Sequence, residues 1–141
     1  MRRLALERCK EFDWVNIVDS SDSNHFASLV WFSNFPERMA RMVTAWDKHL
    51  VERRVPALLP PIPKSSGFLV EDIRPIAICD HHLKPDGLAN MRMILMENYA
   101  VYNGYMSQEE AREWAEEQLA LAAIGSFFFS VTHFVVRSAK L

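Results

Sequence analysis

The chain has 141 residues, of which 50% are hydrophobic and 11% aromatic. That is enough for one ordinary domain and too short for two large ones, and a fold of this length buries about 68–70% of its unfolded surface. Sixteen Lys and Arg against eighteen Asp and Glu give a net charge of −2, which argues against a nucleic-acid protein held by bulk charge and, with the high apolar content, against intrinsic disorder. No run of 18 apolar residues exists, so no membrane-spanning helix is expected. Charged Arg2 and Arg3 are followed by Glu7, Arg8, Lys10 and Glu11 rather than an apolar stretch, which argues against a signal peptide. Cys9 and Cys79 cannot build a disulfide framework and show no CxxC spacing. Two reduced thiols in a cytoplasmic protein are the simplest expectation.

Residues 1–12 read as a short helix or helix end. Asp13 to Asp19 is rich in β-branched residues and predicts a strand that stops at the polar cluster Ser20–Asn24. Phe26–Phe32 is apolar and fits either strand or helix. Pro36 then suits a first helical turn, and Met39, Met42, Val43, Trp46 and Leu50 recur at helical spacing, so an amphipathic helix of about four turns is predicted before Pro56. Leu58 to Gly67 is a Pro-dense connector.

Phe68–Cys79 predicts a second strand, and Pro75, which lacks an N–H, places it at a sheet edge. Asp80–Gly87 reads as a loop. Residues 88–103 are apolar nearly all round, which predicts a helix that is mostly buried or faces a pocket, broken at Asn103-Gly104. Ser107 with Glu110 is a capping-box pattern for a helix running to about Ile124 and stopping at Gly125. Phe127–Val136 is β-prone with apolar residues on both faces, as expected of a central strand. The sum is an α/β chain and a single domain over 1–141.

Several polar residues invite a chemical reading. Asp19 closes the first strand, where a carboxylate either caps its own turn or faces a ligand. His25 and Trp31 follow it, as loop and core residues or as a pocket wall. Asp80, His81 and His82 are metal-ligand types, but adjacent residues rarely aim at one ion and no third spaced ligand is evident. No metal is therefore expected, and solvated loop residues are the simpler reading. Tyr99, Tyr102 and Tyr105, with Met91, Met93 and Met96, form either ordinary core or a pliable lid. Glu109/Glu110 and Glu116/Glu117 read as solvated helix faces.

Three stretches carry a resemblance. They are Val18-Asp19 through Leu29–Ser33 into Pro36–Met42 and Ala45–Leu50; Gly67-Phe68 into Val70–Arg74; and Ser107–Trp114 running into Gly125–Phe134. In this order they resemble the C-terminal half of class I S-adenosylmethionine-dependent methyltransferases, the small-molecule, ubiquinone-biosynthesis-like group. The resemblance implies a partial Rossmann-like sheet. Residues 13–19 would be its fifth strand, 68–79 its sixth, and 127–136 an antiparallel seventh inserted between them, with 80–106 a helical cap over the substrate pocket. It also implies S-adenosylmethionine as cofactor. In that family the cofactor sits on a Gly-rich turn after the first strand. Gly67, Gly87, Gly104 and Gly125 are isolated, and the first four strands have no counterpart here. The chain thus resembles a fragment, the substrate-side half of an enzyme, inactive alone and without a cofactor site of its own. A homodimer or a partner chain carrying the cofactor half is expected to complete it, with no nucleic acid and no membrane. The substrate-binding candidates are Asp19, His25, Trp31, His81, His82, Tyr99 and Tyr102; no residue is assigned as catalytic. A binding or oligomerisation module built on the same fold is the alternative.

Overall fold

The structure is a computed structural model. It describes residues 28–50 and 67–140 in full and residues 14–19 in their backbone. In chain order these form β1 (Trp14–Asp19), β2 (Val30–Trp31), α1 (Pro36–Asp47), β3 (Phe68–Asp80), α2 (Leu88–Tyr102), α3 (Gln108–Ala123) and β4 (Phe129–Lys140). The class is α/β, with three helices among the described residues. The expected helix over 1–12, the connector over 58–66 and His25 lie outside them.

All described strand pairing converges on β4, which pairs with β1, β2 and β3. The β1 ladder is antiparallel, from Trp14 opposite Ala139 to Asp19 opposite Phe134. The β2 ladder is antiparallel too, Val30 opposite Ser130 and Trp31 opposite Phe129. Among the described residues β3 pairs with β4 alone, the position a strand containing Pro75 can hold without breaking a second ladder. Phe129 and Val131 are buried on one face of β4, Val136 and Ser138 on the other. This is why apolar residues run along both faces of the segment. The two-residue β2 falls within the apolar run that sequence alone left open.

The described residues fall into two compact units. The first comprises β1, residues 67–77 and residues 132–140; in it Arg137 pairs with Glu71 across 3.2 Å. The second comprises residues 28–50 and 78–131 and holds the three helices and one hydrophobic core.

Within the second unit, Met39, Met42, Val43 and Ala45 of α1 are buried, as their spacing requires. Pro36 occupies the first turn, where no N–H is needed. The regular helix ends at Asp47 rather than Leu50, because the amides of Lys48, His49 and Leu50 bond three residues back, to Ala45, Trp46 and Asp47. The final turn is thereby tightened, a common way of satisfying terminal carbonyls. α2 buries Ala89, Met93, Met96 and Ala100. It closes at Gly104, whose φ of 69° takes the left-handed conformation while Tyr105 N–H reaches back to the Ala100 carbonyl at 2.9 Å. The α3 capping box is complete, with Ser107 Oγ accepting from the Glu110 amide and Glu110 accepting from the Ser107 amide.

The core of this unit is rich in tryptophan. Trp114 and Phe129 are fully buried. Trp31 meets Trp114 edge-on at 5.4 Å and Phe129 at 4.9 Å between ring centroids. Its Nε1–H donates to Gln118 Oε1 at 2.9 Å.

The acidic residues of α3 are not idle surface charge. Glu110 accepts both guanidinium nitrogens of Arg41, at 2.8 and 3.1 Å. Glu113 accepts from Arg38 at 2.5 Å. Glu117 takes the Ser33 hydroxyl at 2.9 Å and the Asn34 amide at 2.7 Å. Three carboxylates at helical spacing thus bind the entry and first turns of α1. The expectation of a solvated face holds for Glu109 and for Glu116, which pairs with Arg112 on that face at 3.0 Å, but not for Glu110 or Glu117. Each residue is intrinsically plausible on a surface, and only the position of α1 reveals the pairing. The Arg41 side chain, then the Ser107 backbone, holds the Glu110 carboxyl below its ordinary value. A carboxyl lowered by folding contributes stability above its unfolded titration and loses it as pH falls through the folded value. Stability should therefore decline in acid, below about 4.5. Glu110→Gln, which keeps the cap but not the charge, should flatten that acid limb. Thermal melting followed from neutral pH into acid checks this; parallel limbs in the two proteins would contradict it.

Candidate functional site

Of the polar residues singled out from sequence, Asp80, His81 and His82 fall in one place within the second unit and Tyr99 in another, with Trp31 in its core. The first is the loop after β3. Asp80 is buried, and its carboxylate oxygens accept the amides of His82 at 2.9 Å and Lys84 at 3.1 Å. Gly87 lies so close that a Cβ there would fall 2.9 Å from Asp80 Oδ2 and 3.0 Å from the Lys84 carbonyl. Leu83, inside the turn, is buried and has a φ of 51°. Asp80 is thus occupied in shaping the loop. His81 and His82 are exposed, with ring centroids 3.8 Å apart. No group of three metal-ligating side chains occurs among the described residues. The adjacent His-His pair therefore presents two imidazoles at the surface, beside a carboxylate already committed to backbone amides.

The second place lies where the end of α1 meets α2 and the turn into α3. Tyr99 is half-buried. Its ring stands edge-on to Trp46 at 5.6 Å and to His49 at 5.8 Å, and 5.9 Å from Tyr105. Trp46 and His49 lie 4.0 Å apart, and His49 Nδ1–H donates to the Trp46 carbonyl. Lys48 Nζ sits 4.0 Å above the Tyr105 ring, a cation–π contact. Burial, reinforced by Tyr105, pushes the Tyr99 phenol above its ordinary value, so it is a neutral hydrogen-bonding group through the physiological range. Beside this cluster a shallow hollow of about 290 Å³ is lined by Ala40, Arg41, Thr44, Ala45, Lys48 and Tyr105. Arg41, Thr44 and Lys48 lie along one side of α1. The hollow therefore offers a hydroxyl, an ammonium and an aromatic edge beside an Arg41 guanidinium already bound by Glu110, a set suited to a small molecule with a flat apolar body and a polar group.

The remaining candidates are dispersed. Trp31 is packed in the core, with one edge on a second, open hollow of about 590 Å³ beside Val30, Phe32, Ser33, Ser126 and Phe128. Tyr102 is 90% exposed. Met93 and Met96 belong to the core and Met91 is exposed, so the three methionines do not form one lid. Asp19 is the last residue of β1; its backbone alone is described. Sequence reading assigned Trp46 to the apolar stripe of α1 and overlooked Lys48 and His49. The available signal was a Trp, a Lys and a His within four residues at a helix end.

The glycines test whether a cofactor cradle is present. All four of the chain's glycines are described. Gly67, Gly104 and Gly125 have positive φ and open space around a would-be Cβ, and the last two terminate α2 and α3. Gly87 is packed against Asp80 and Lys84. None of the four stands in a Gly-rich turn of the kind that cradles a cofactor. No helix among the described residues is long and apolar enough to cross a membrane. No family model, curated protein or solved structure matches the chain.

Proposed function

We propose that the chain is the substrate-side portion of a small-molecule methyltransferase of the S-adenosylmethionine-dependent, Rossmann-like type, dependent on a separate cofactor-binding half. The observation that carries the reading is the pairing around β4. The last strand runs antiparallel to β1 and also pairs with β3, the edge strand containing Pro75. That is the relation which the sequence resemblance implies for the seventh, fifth and sixth strands of such an enzyme. The hollow beside Tyr99, Lys48 and Tyr105 is the substrate-contact region in this reading. Its residues bind and orient an acceptor, and holding a nucleophile in line is where such a half contributes most. No methyl-transfer step is assigned to this chain's own residues.

Calorimetric titration with S-adenosylmethionine and S-adenosylhomocysteine tests the reading. The chain alone should give no binding heat, and binding should appear once a chain supplying the first four strands is added. Micromolar binding by the chain alone would overturn the half-enzyme reading. A second reading, a non-enzymatic binding module, is favoured by one observation: β1 has β4 as its one partner among the described residues. A strand edge left open in this way invites pairing with another chain. In that case the added cofactor half would produce no binding.

A further inference from the structure

Neighbouring residues in a chain ordinarily point apart, which is why His81 and His82 give no aim at one ion when read as sequence. The loop after β3 turns them together. Both are exposed, and their ring centroids lie 3.8 Å apart with the planes tilted by 43°. Among the described residues no hydrogen bond or ion pair engages either ring. The other described histidines are placed differently. His49 donates to the Trp46 carbonyl and packs against Trp46 and Tyr99, and His133 is half-buried on β4.

The backbone beneath the pair is fixed on both sides. Buried Asp80 accepts the amides of His82 and Lys84. The Gly87 amide donates to the Lys84 carbonyl at 2.9 Å. Leu83, directly after the pair, is buried. The two imidazoles are therefore carried on a loop that is already ordered, and a ligand that needs both rings does not have to order it.

We propose that His81 and His82 form a two-imidazole site for a divalent late first-row transition metal, with copper(II) held most tightly. Metal–imidazole bonds are about 2.0–2.1 Å long, so two rings bound side by side on one ion stand roughly 4.5–5 Å apart between centroids. The observed 3.8 Å falls short of that by about 1 Å, a difference that rotation of two exposed side chains supplies. Imidazole nitrogen suits copper, nickel and zinc rather than magnesium or calcium, and among these copper(II) binds a given nitrogen set most tightly. Copper(II) also favours a square arrangement, in which two adjacent positions are imidazole and the others water. The Asp80 carboxylate is not a ligand, because its oxygens hold backbone amides; its part is to position the loop. With two protein ligands instead of the four of a structural zinc site, the ion is exchangeable. This inference does not rest on the methyl-transfer reading or on the hollow beside Tyr99.

Calorimetric titration of the full chain with copper(II), in a buffer that does not bind metal, tests it together with electron paramagnetic resonance at one equivalent. The expected result is one tight equivalent with the signature of two coordinated imidazole nitrogens, and no binding of magnesium or calcium. His81→Ala and His82→Ala should each remove that equivalent with unchanged far-ultraviolet circular dichroism, since one imidazole cannot chelate. Asp80→Asn keeps both ligands but loosens the loop, and should weaken binding about tenfold or more, as disturbing the groups that position metal ligands does. No tight equivalent in the native chain overturns the proposal. A tight equivalent that survives both Ala variants places the copper elsewhere and also overturns it. Affinity unchanged in Asp80→Asn would mean an adventitious ion only, on two ordinary surface histidines.

Discussion

Trp114→Ala is expected to destabilise the chain by about 3–5 kcal/mol, the range for deleting a large buried aromatic. Domains are stable by about 5–15 kcal/mol, so the loss is a fifth of the total or more. The reason is position. Trp114 is fully buried on α3, in edge contact with Trp31 of β2, and one turn further on Gln118 accepts the Trp31 indole N–H. Removing the ring opens a void where α3, β2 and β4 meet in one core. Trp114→Phe should lose much less. It keeps most of the ring contact and removes an indole N–H that has no hydrogen-bond partner, a group that is expensive to bury. Urea unfolding followed by far-ultraviolet circular dichroism measures both. A loss below about 1 kcal/mol for the Ala variant would mean that this core is loosely packed.

Asp80→Ala is expected to lose about 1.5–3 kcal/mol, the range for hydrogen bonds to a charged group. Two backbone amides, of His82 and Lys84, depend on its carboxylate. Leu83 between them is held in a left-handed conformation that a residue other than Gly adopts only when its surroundings enforce it. Without the carboxylate the turn relaxes, Leu83 leaves its buried site, and His81 and His82 lose their common orientation. Asp80→Asn, which keeps one acceptor oxygen, should fall between. Gly87→Ala should resemble Asp80→Ala, because its Cβ would displace the same oxygen. Hydrogen exchange at the Lys84 amide is the direct readout: faster exchange is expected in all three variants. Exchange unchanged from the native chain would show that Asp80 does not hold the loop.

The secondary structure was legible because its signals are local. Ser107 and Glu110 announce a helix start by bonding to each other, and Gly104 and Gly125 announce helix ends by a backbone conformation that few other residues adopt. Pro75 marked an edge because a missing N–H is a property of one residue. Pairing across helices left no such trace. Glu110 and Arg41 are 69 residues apart, and neither looks unusual where it stands. Tyr99 was singled out with Tyr102, yet three positions along a helix carried Tyr102 round to solvent while Tyr99 met Trp46, His49 and Tyr105. Asp80 looked chemical because it precedes two histidines; its carboxylate is spent on backbone amides, which only coordinates reveal.

The convergence of pairing on β4 governs the order in which this protein can be made. β1, β2 and β3 all precede β4 in the chain, and each is paired with it. On a ribosome none of these ladders can close until residues 129–140 have been translated and have cleared the exit tunnel. The helices face no such delay, since α2 and α3 are adjacent and joined by a short turn and local contacts form fastest. Between residue 80 and residue 129 the nascent chain holds three strands whose common mate is not yet made, a state in which unpaired edges are prone to aggregate. A premature stop between α3 and β4 would release a chain whose three helices can form but whose ladders to β4 cannot.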